Sequence, residues 1–140
     1  MASIRKEVIV AAPPEQVWDA LRDWGALHTR LVPGFVVDTE LDGEDRIVTF
    51  FTGNKVREVL VDRDDEAMRL AWSVLDGPYT HHNGVAQVLP TEDGGCRFVW
   101  TADLLPDAAA APTAEMMERG AQVVKETQER LTAPPAQPSG

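Results

Sequence analysis

The sequence predicts an α+β fold: a curved, seven-stranded antiparallel sheet wrapped around one long C-terminal helix, with two short helices after the first strand. Three observations lead there. Apolar and small residues keep a helical period over only one long stretch, residues 112–131, as Met116, Met117, Gly120, Val123, Val124, Thr127 and Leu131. Upstream of it lie short segments rich in β-branched and aromatic residues, punctuated by turn signals such as Asp42-Gly43, Gly53-Asn54 and Asp76-Gly77-Pro78. A helix of that length, roughly 30 Å, needs a broad apolar partner, and with no second long helix the partner is a sheet.

The first strand is expected at residues 3–10, from Ile4, Val8, Ile9 and Val10, and is stopped by Ala11-Ala12-Pro13-Pro14. Proline suits the first turn of a helix, and residues 15–23 supply one with Val17, Trp18 and Leu21 on a single face. Gly25 breaks it, and residues 26–31 form a second short helix ended by Pro33-Gly34. Six strands follow, at 35–41, 46–52, 55–63, 68–75, 82–89 and 97–104, joined by turns short enough for antiparallel neighbours. Pro106 closes the last one. Thr113 is placed as N-cap of the long helix, with Glu115 in its first turn and Lys125 and Arg130 towards its other end, matching the helix dipole. Residues 1–132 are expected to form one domain, and the Pro-rich residues 133–140 a disordered tail.

Composition bounds the function. The chain has 140 residues, 44% of them hydrophobic, enough to bury a real core. Its formal net charge of −10 disfavours nucleic acid and anionic membrane surfaces as partners. A single cysteine, Cys96, excludes an internal disulfide and any multi-cysteine metal site. The N-terminus lacks an apolar leader core and no apolar run reaches membrane-spanning length, so a cytoplasmic protein with no membrane insertion is expected.

Strand alternation assigns faces. In the last strand Phe98, Trp100, Ala102 and Leu104 form the inner set; in residues 68–75 the bulky set is Leu70, Trp72 and Val74. In residues 46–52, Val48 and Phe50 oppose Ile47, Thr49 and Phe51, and both sets are apolar, so the choice stays open. The same holds for Val56, Glu58 and Leu60 against Arg57, Val59 and Val61. Gly120 within the helical stripe has two readings: close helix–sheet packing, which is favoured, or space left for a ligand beneath the helix.

The order of several short motifs resembles the START-like (SRPBCC) superfamily, which includes the polyketide cyclase/dehydrase and lipid-transport group, the birch-pollen-allergen proteins and the plant abscisic acid receptors. The motifs are Ala12-Pro13-Pro14-Glu15-Gln16-Val17-Trp18 after a first strand, Val32-Pro33-Gly34, Arg57-Glu58-Val59-Leu60, Asp76-Gly77-Pro78, Trp100-Thr101-Ala102 and the C-terminal helix. The resemblance runs to about Leu131 and implies a helix-grip fold. It implies apolar pocket positions at Val48, Phe50, Trp72 and Val74, a ligand-facing glutamate at Glu58, and a pocket position at His82. It also turns Val123 and Thr127 towards a ligand, and makes entrance loops of residues 52–54 and 76–81. The chain lacks the receptors' basic loop residues and first-loop proline, which argues against hormone reception.

Together these readings predict a small hydrophobic or aromatic ligand held between sheet and helix, with Trp72, Trp100, Phe50, Val48 and Val123 as walls, Gly120 above them, and Glu58, His82 and Thr127 as orienting groups. The alternative is a cofactor-independent cyclase or dehydratase of polyketide-like precursors, using Glu58 and His82 as acid and base. A third reading is a partner-binding module with a filled core. If Glu58 faces inward it needs a donor, for which His82, Tyr79 or an ordered water are the candidates. His82 is either a polar anchor or catalyst, or a wetted histidine at the cavity mouth. His81 and His82, adjacent on a strand, point to opposite faces, and neither HExxH nor a third ligand accompanies them, so no metal or other cofactor is expected. A monomer or a homodimer is expected.

Overall fold

The computed structural model describes residues 1–132; the tail expected at 133–140 lies outside them. Pro14 opens helix α1 (Pro14–Arg22) at its first turn, directly after strand β1 (Ala2–Val10). The second short helix is irregular: a 3₁₀ turn at Trp24–Ala26 runs into a π-helical turn at Leu27–Leu31. Strands β2 (Val36–Asp42), β3 (Asp45–Phe50), β4 (Lys55–Asp64), β5 (Arg69–Val74), β6 (His81–Pro90) and β7 (Cys96–Leu105) follow. A 3₁₀ turn at Asp107–Ala109 leads into helix α2 (Ala110–Thr132).

All seven strands form one antiparallel sheet in the order β1-β7-β6-β5-β4-β3-β2. The six later strands are a meander, and β1 returns to pair with β7, so both sheet edges come from the first half of the chain. Helix α2 packs against β1, β7 and the π-helical turn. This is the helix-grip arrangement that the sequence predicts.

The inward stripe of α2 is Thr113, Met117, Gly120, Ala121, Val124, Thr127 and Gln128, spaced three or four apart. Leu131 falls outside it at 66% exposure. The helix starts at Ala110, not at Thr113, so Thr113 is no N-cap: it lies inside the helix, buried, and its hydroxyl pairs with the Tyr79 hydroxyl at 2.7 Å. Pro112 sits in the first turn, where its missing N–H has no intrahelical acceptor to lose. At the other end Gln128 is fully buried, and both ends of its amide are hydrogen-bonded. Its Nε2 donates to the Arg30 carbonyl at 2.8 Å, and its Oε1 accepts from Gln16 Nε2 at 3.0 Å. Hydrogen bonds, not apolar contact alone, therefore seal that end of the helix to α1 and the π-helical turn.

The two faces that alternation left open are settled by pairing. Arg46 and Val48 of β3 and Val56 and Glu58 of β4 are buried, and the register sets Arg46 opposite Glu58 and Val48 opposite Val56. A register shift between Leu60 and Asp62 ends the alternation, and Val61 is 62% exposed. Among the described residues no helix is long and apolar enough to cross a membrane.

Candidate functional site

Between the inner face of the sheet and the first turns of α2 lies a cavity of about 580 Å³, within the size range of small-molecule sites. Its floor comes from the strands: Phe50, Val56, Glu58, Trp72, Val74, His82 and Trp100. Thr113, Met116 and Met117 of α2 cover it, and Thr52, Asn54, Lys55 and Gly77–Tyr79 form its rim. A second space of about 70 Å³ lies on the α1 side, bounded by Leu21, Leu31, Arg46 and Val124. The two share Phe35, Phe50, Glu58, Trp72 and Trp100 as walls.

Of the residues expected at a ligand, Phe50, Glu58, Trp72, Val74, His82 and Trp100 line the main cavity. Val48, Gly120, Val123 and Thr127 line neither space. Val48 is wholly buried in the apolar core. A Cβ on Gly120 would lie 2.9 Å from Trp100 and 3.1 Å from Phe35, so the glycine exists for close packing: these rings already occupy the space beneath it. Val123 packs at the edge of the core while Val124 faces the smaller space, a rotation of one residue. Thr127 is buried beyond the reach of the cavity, whose helical wall ends at Met117.

A second close approach shapes the floor. Trp72 and Gly84 are direct cross-strand partners, and a Cβ on Gly84 would stand 2.5 Å from the indole. Gly84 lets that ring lie down on β6, 6.3 Å from the Trp100 ring, leaving open volume above both. Phe35 meets Phe50 edge-on at 5.6 Å to close the side wall.

The polar groups are few. The Arg46 guanidinium donates to Glu58 Oε1 through Nη2 at 2.7 Å and Nε at 2.9 Å, and both side chains are buried. Its Nη1 donates to the Trp24 carbonyl at 3.2 Å, and its carbon stands 3.6 Å from the centre of a Trp24 ring. Burial pulls the guanidinium below its ordinary pKa and the Glu58 charge pulls it back up; an arginine stays protonated in water at neutral pH. The donor that Glu58 requires is thus Arg46, and not His82, Tyr79 or a water. The sequence carried the signal: a hairpin turn at Gly53-Asn54 sets these two residues opposite each other, with opposite charges on an apolar face.

His82 is held neutral. Burial, aided by the neighbouring His81, pushes its pKa down to about 4. Its ring meets the edge of Tyr79 at 4.4 Å, and its Nδ1 is buried without a hydrogen-bond partner among the described residues. The Trp100 indole N–H is likewise buried, with no partner among the described residues. Among the described residues no hydrogen bond joins His82 to Glu58, and no group of three His, Cys, Asp or Glu side chains is placed to hold a metal ion.

The polyketide cyclase / dehydrase and lipid transport family matches residues 1–133. Comparison with curated proteins finds no match. Among solved structures, the protein XoxI from Bacillus cereus is 18% identical and superposes with a TM-score of 0.85 over 96% of this chain and 100% of its own. A solution structure from Thermobifida fusca is 31% identical, with a TM-score of 0.76 over 94% of this chain and 95% of that one. A START superfamily protein from Mycobacterium smegmatis is 13% identical, with a TM-score of 0.76 over 92% of this chain and 98% of that one. With its sheet gripping the long C-terminal helix and the family matching nearly its whole length, the chain belongs to the polyketide cyclase/dehydrase and lipid-transport family.

Proposed function

We propose that the protein binds one small hydrophobic or aromatic molecule in the main cavity and works as a carrier or sensor. The observation that carries this is the cavity itself: about 580 Å³ walled by Trp72, Trp100, Phe50 and Val74 under α2, too large and too apolar to be a packing defect. Its one buried charge, Glu58, is already neutralised by Arg46. The test is titration of the full chain with Nile red, an uncharged environment-sensitive dye, followed by native mass spectrometry of protein purified without denaturation. Saturable binding at one site supports the reading; its absence, or binding that Phe50→Ala, Trp72→Phe and Val74→Ala all leave unchanged, refutes it.

The second reading, a cofactor-independent cyclase or dehydratase, is favoured by one observation: a neutral imidazole with an unused nitrogen, His82, shares the cavity wall with a carboxylate. Glu58→Gln and His82→Ala separate the two. In a carrier each alters affinity by about 0.5–3 kcal/mol, the value of one hydrogen bond. In an enzyme both lower turnover by roughly 100-fold while substrate still binds.

A further inference from the structure

We propose that the smaller space beside the main cavity is a subsite for a short alkyl branch, so that the ligand is a ring compound carrying a branch of about two carbons. The inference rests on the main cavity being a ligand site and concerns the shape of what that site holds. It starts from the way the space of about 70 Å³ is walled. Phe35, Phe50, Glu58, Trp72 and Trp100 line it together with the main cavity. Its other walls belong to it alone, among them Leu21 of α1, Leu31 of the π-helical turn, Ala86 of β6, Phe98 of β7 and Val124 of α2. The space is thus an annex, separated from the main cavity by a wall one residue thick.

Packing at this end is otherwise tight. A Cβ on Gly120 would lie 2.9 Å from Trp100 and 3.1 Å from Phe35, and Gln128 fastens the helix to Arg30 and Gln16. Native interiors leave few voids larger than a water molecule. This one has room for about two methyl-sized groups, at the roughly 30 Å³ that one water takes up in the liquid. The lining suits an alkyl group better than water. Of the walls that belong to the annex alone, every side chain but Arg46 is apolar, and Arg46 gives Nη2 and Nε to Glu58 and Nη1 to the Trp24 carbonyl. A charged branch would compete for that pair and strand one of its members, whereas an alkyl branch leaves it whole.

The shared wall can yield at one point. Trp72 and Trp100 lie within strands, their rings 6.3 Å apart, and Phe35 is 4% exposed beneath Gly120. Phe50 is only half-buried, and it is the last residue of β3, before the Gly53-Asn54 turn. Its ring meets Phe35 edge-on at 5.6 Å. That ring turns aside to admit the branch, and no strand has to move.

The experiment is competition against Nile red on the full chain with naphthalene, methylnaphthalene, ethylnaphthalene and butylnaphthalene. Each carbon that enters the annex buries one more apolar group. Affinity is therefore expected to rise about fourfold from naphthalene to the methyl compound and about fourfold again to the ethyl compound. Butylnaphthalene, too long for the annex, should bind no more tightly than ethylnaphthalene. Two variants move that limit in opposite directions, and both sit on walls that the main cavity does not share. Ala86→Val fills the annex and should cut the gain from naphthalene to ethylnaphthalene from about sixteenfold to about twofold or less, with naphthalene affinity unchanged. Leu31→Ala enlarges it and should let butylnaphthalene overtake ethylnaphthalene by about fourfold or more. Circular dichroism checks the fold of each, and Val124→Ile is a second filling variant should Ala86→Val not fold. A gain that survives filling, that keeps rising to the butyl compound in the natural protein, or whose limit Leu31→Ala leaves at ethyl overturns the inference while the ligand site stands. No gain from alkylation, or Nile red that none of the four compounds displaces, overturns it in the same way. If neither Nile red nor any of the four binds, the cavity is not a ligand site and both readings fall.

Discussion

Arg46→Met tests the buried pair directly. The substitution keeps a long apolar stem over the Trp24 ring and removes both donors from Glu58 Oε1 and one from the Trp24 carbonyl. Arg46 is 3% exposed and Glu58 6%, so both charges lie almost wholly out of bulk water. Breaking a buried pair by deleting one partner costs about 3–5 kcal/mol, because the remaining charge is left uncompensated. Against a total stability of about 5–15 kcal/mol this is a large fraction. For a domain of this size it corresponds to a fall in Tm of about 10–17 °C. Replacing both partners, Arg46→Met with Glu58→Leu, removes the stranded charge and should restore stability to within about 2 kcal/mol of the natural protein, or exceed it. Thermal and urea unfolding of both single variants and the double variant, followed by circular dichroism, close the cycle. A loss below about 1 kcal/mol in Arg46→Met, or a double variant no more stable than Arg46→Met, would refute the stranded-charge account of this pair.

Three further outcomes follow from the same geometry. Gly84→Ala drives a methyl against the Trp72 indole, so it should cost about 1–3 kcal/mol in stability and weaken Nile red binding as the ring moves into the cavity; unchanged dye affinity would mean the ring does not form the floor. His82 binds a proton at about pH 6.5 when unfolded and only near 4 when folded, so between those values the unfolded chain gains the proton first and stability falls as pH falls. His82→Phe should therefore show a shallower loss of Tm across that window and no difference in slope above it, and parallel curves would contradict a buried neutral imidazole. Cys96 is wholly buried with its thiol pushed up to about 11 by burial, so a thiol reagent should leave the native protein unlabelled at neutral pH and label one thiol in denaturant.

Much of this architecture was legible because local signals agree with one another. The Gly-containing turns at 42–43, 53–54 and 76–77 each carry a glycine with positive φ, and each separates strands where the sequence places them. The start of α2 was not, because Thr113 looks like a cap in one dimension. What recruits it inward is a tertiary partner, the Tyr79 hydroxyl, thirty-four positions away. The face of β3 was ambiguous because Val48 and Phe50 are no more apolar than Ile47 and Phe51; pairing with β4 decides it, since only one choice brings Arg46 to Glu58. Six of the ten expected ligand positions line the cavity because strand alternation places them. Positions on α2 went wrong by rotation and extent, which depend on how far the helix sinks onto Trp100 and Phe35. Phe35 and Lys55 were missed for a similar reason, since tertiary approach brings them to the cavity with no periodicity to announce it; the other rim residues fall in the loops 52–54 and 76–81 that the resemblance makes entrance loops.

Two glycines explain why the interior is solid at one end and hollow at the other. At Gly120 the helix backbone comes down onto Trp100 and Phe35, and beyond it Gln128 locks the helix to Gln16 and Arg30. That half is filled apart from the smaller space of about 70 Å³. Towards its N-terminus the helix presents Thr113, Met116 and Met117, and the Tyr79–Thr113 hydrogen bond ties it to the β5–β6 loop instead of to the floor. Below, Gly84 lets Trp72 lie flat where any side chain at that position would push the ring upward into the cavity. The same two indoles thus serve opposite ends: Trp100 is the plug under Gly120 and also a wall of the cavity, while Trp72 is the floor beside it. Under the proposed function, flexible methionines above a rigid aromatic floor let the roof adapt to a guest while the Arg46–Glu58 pair keeps its position.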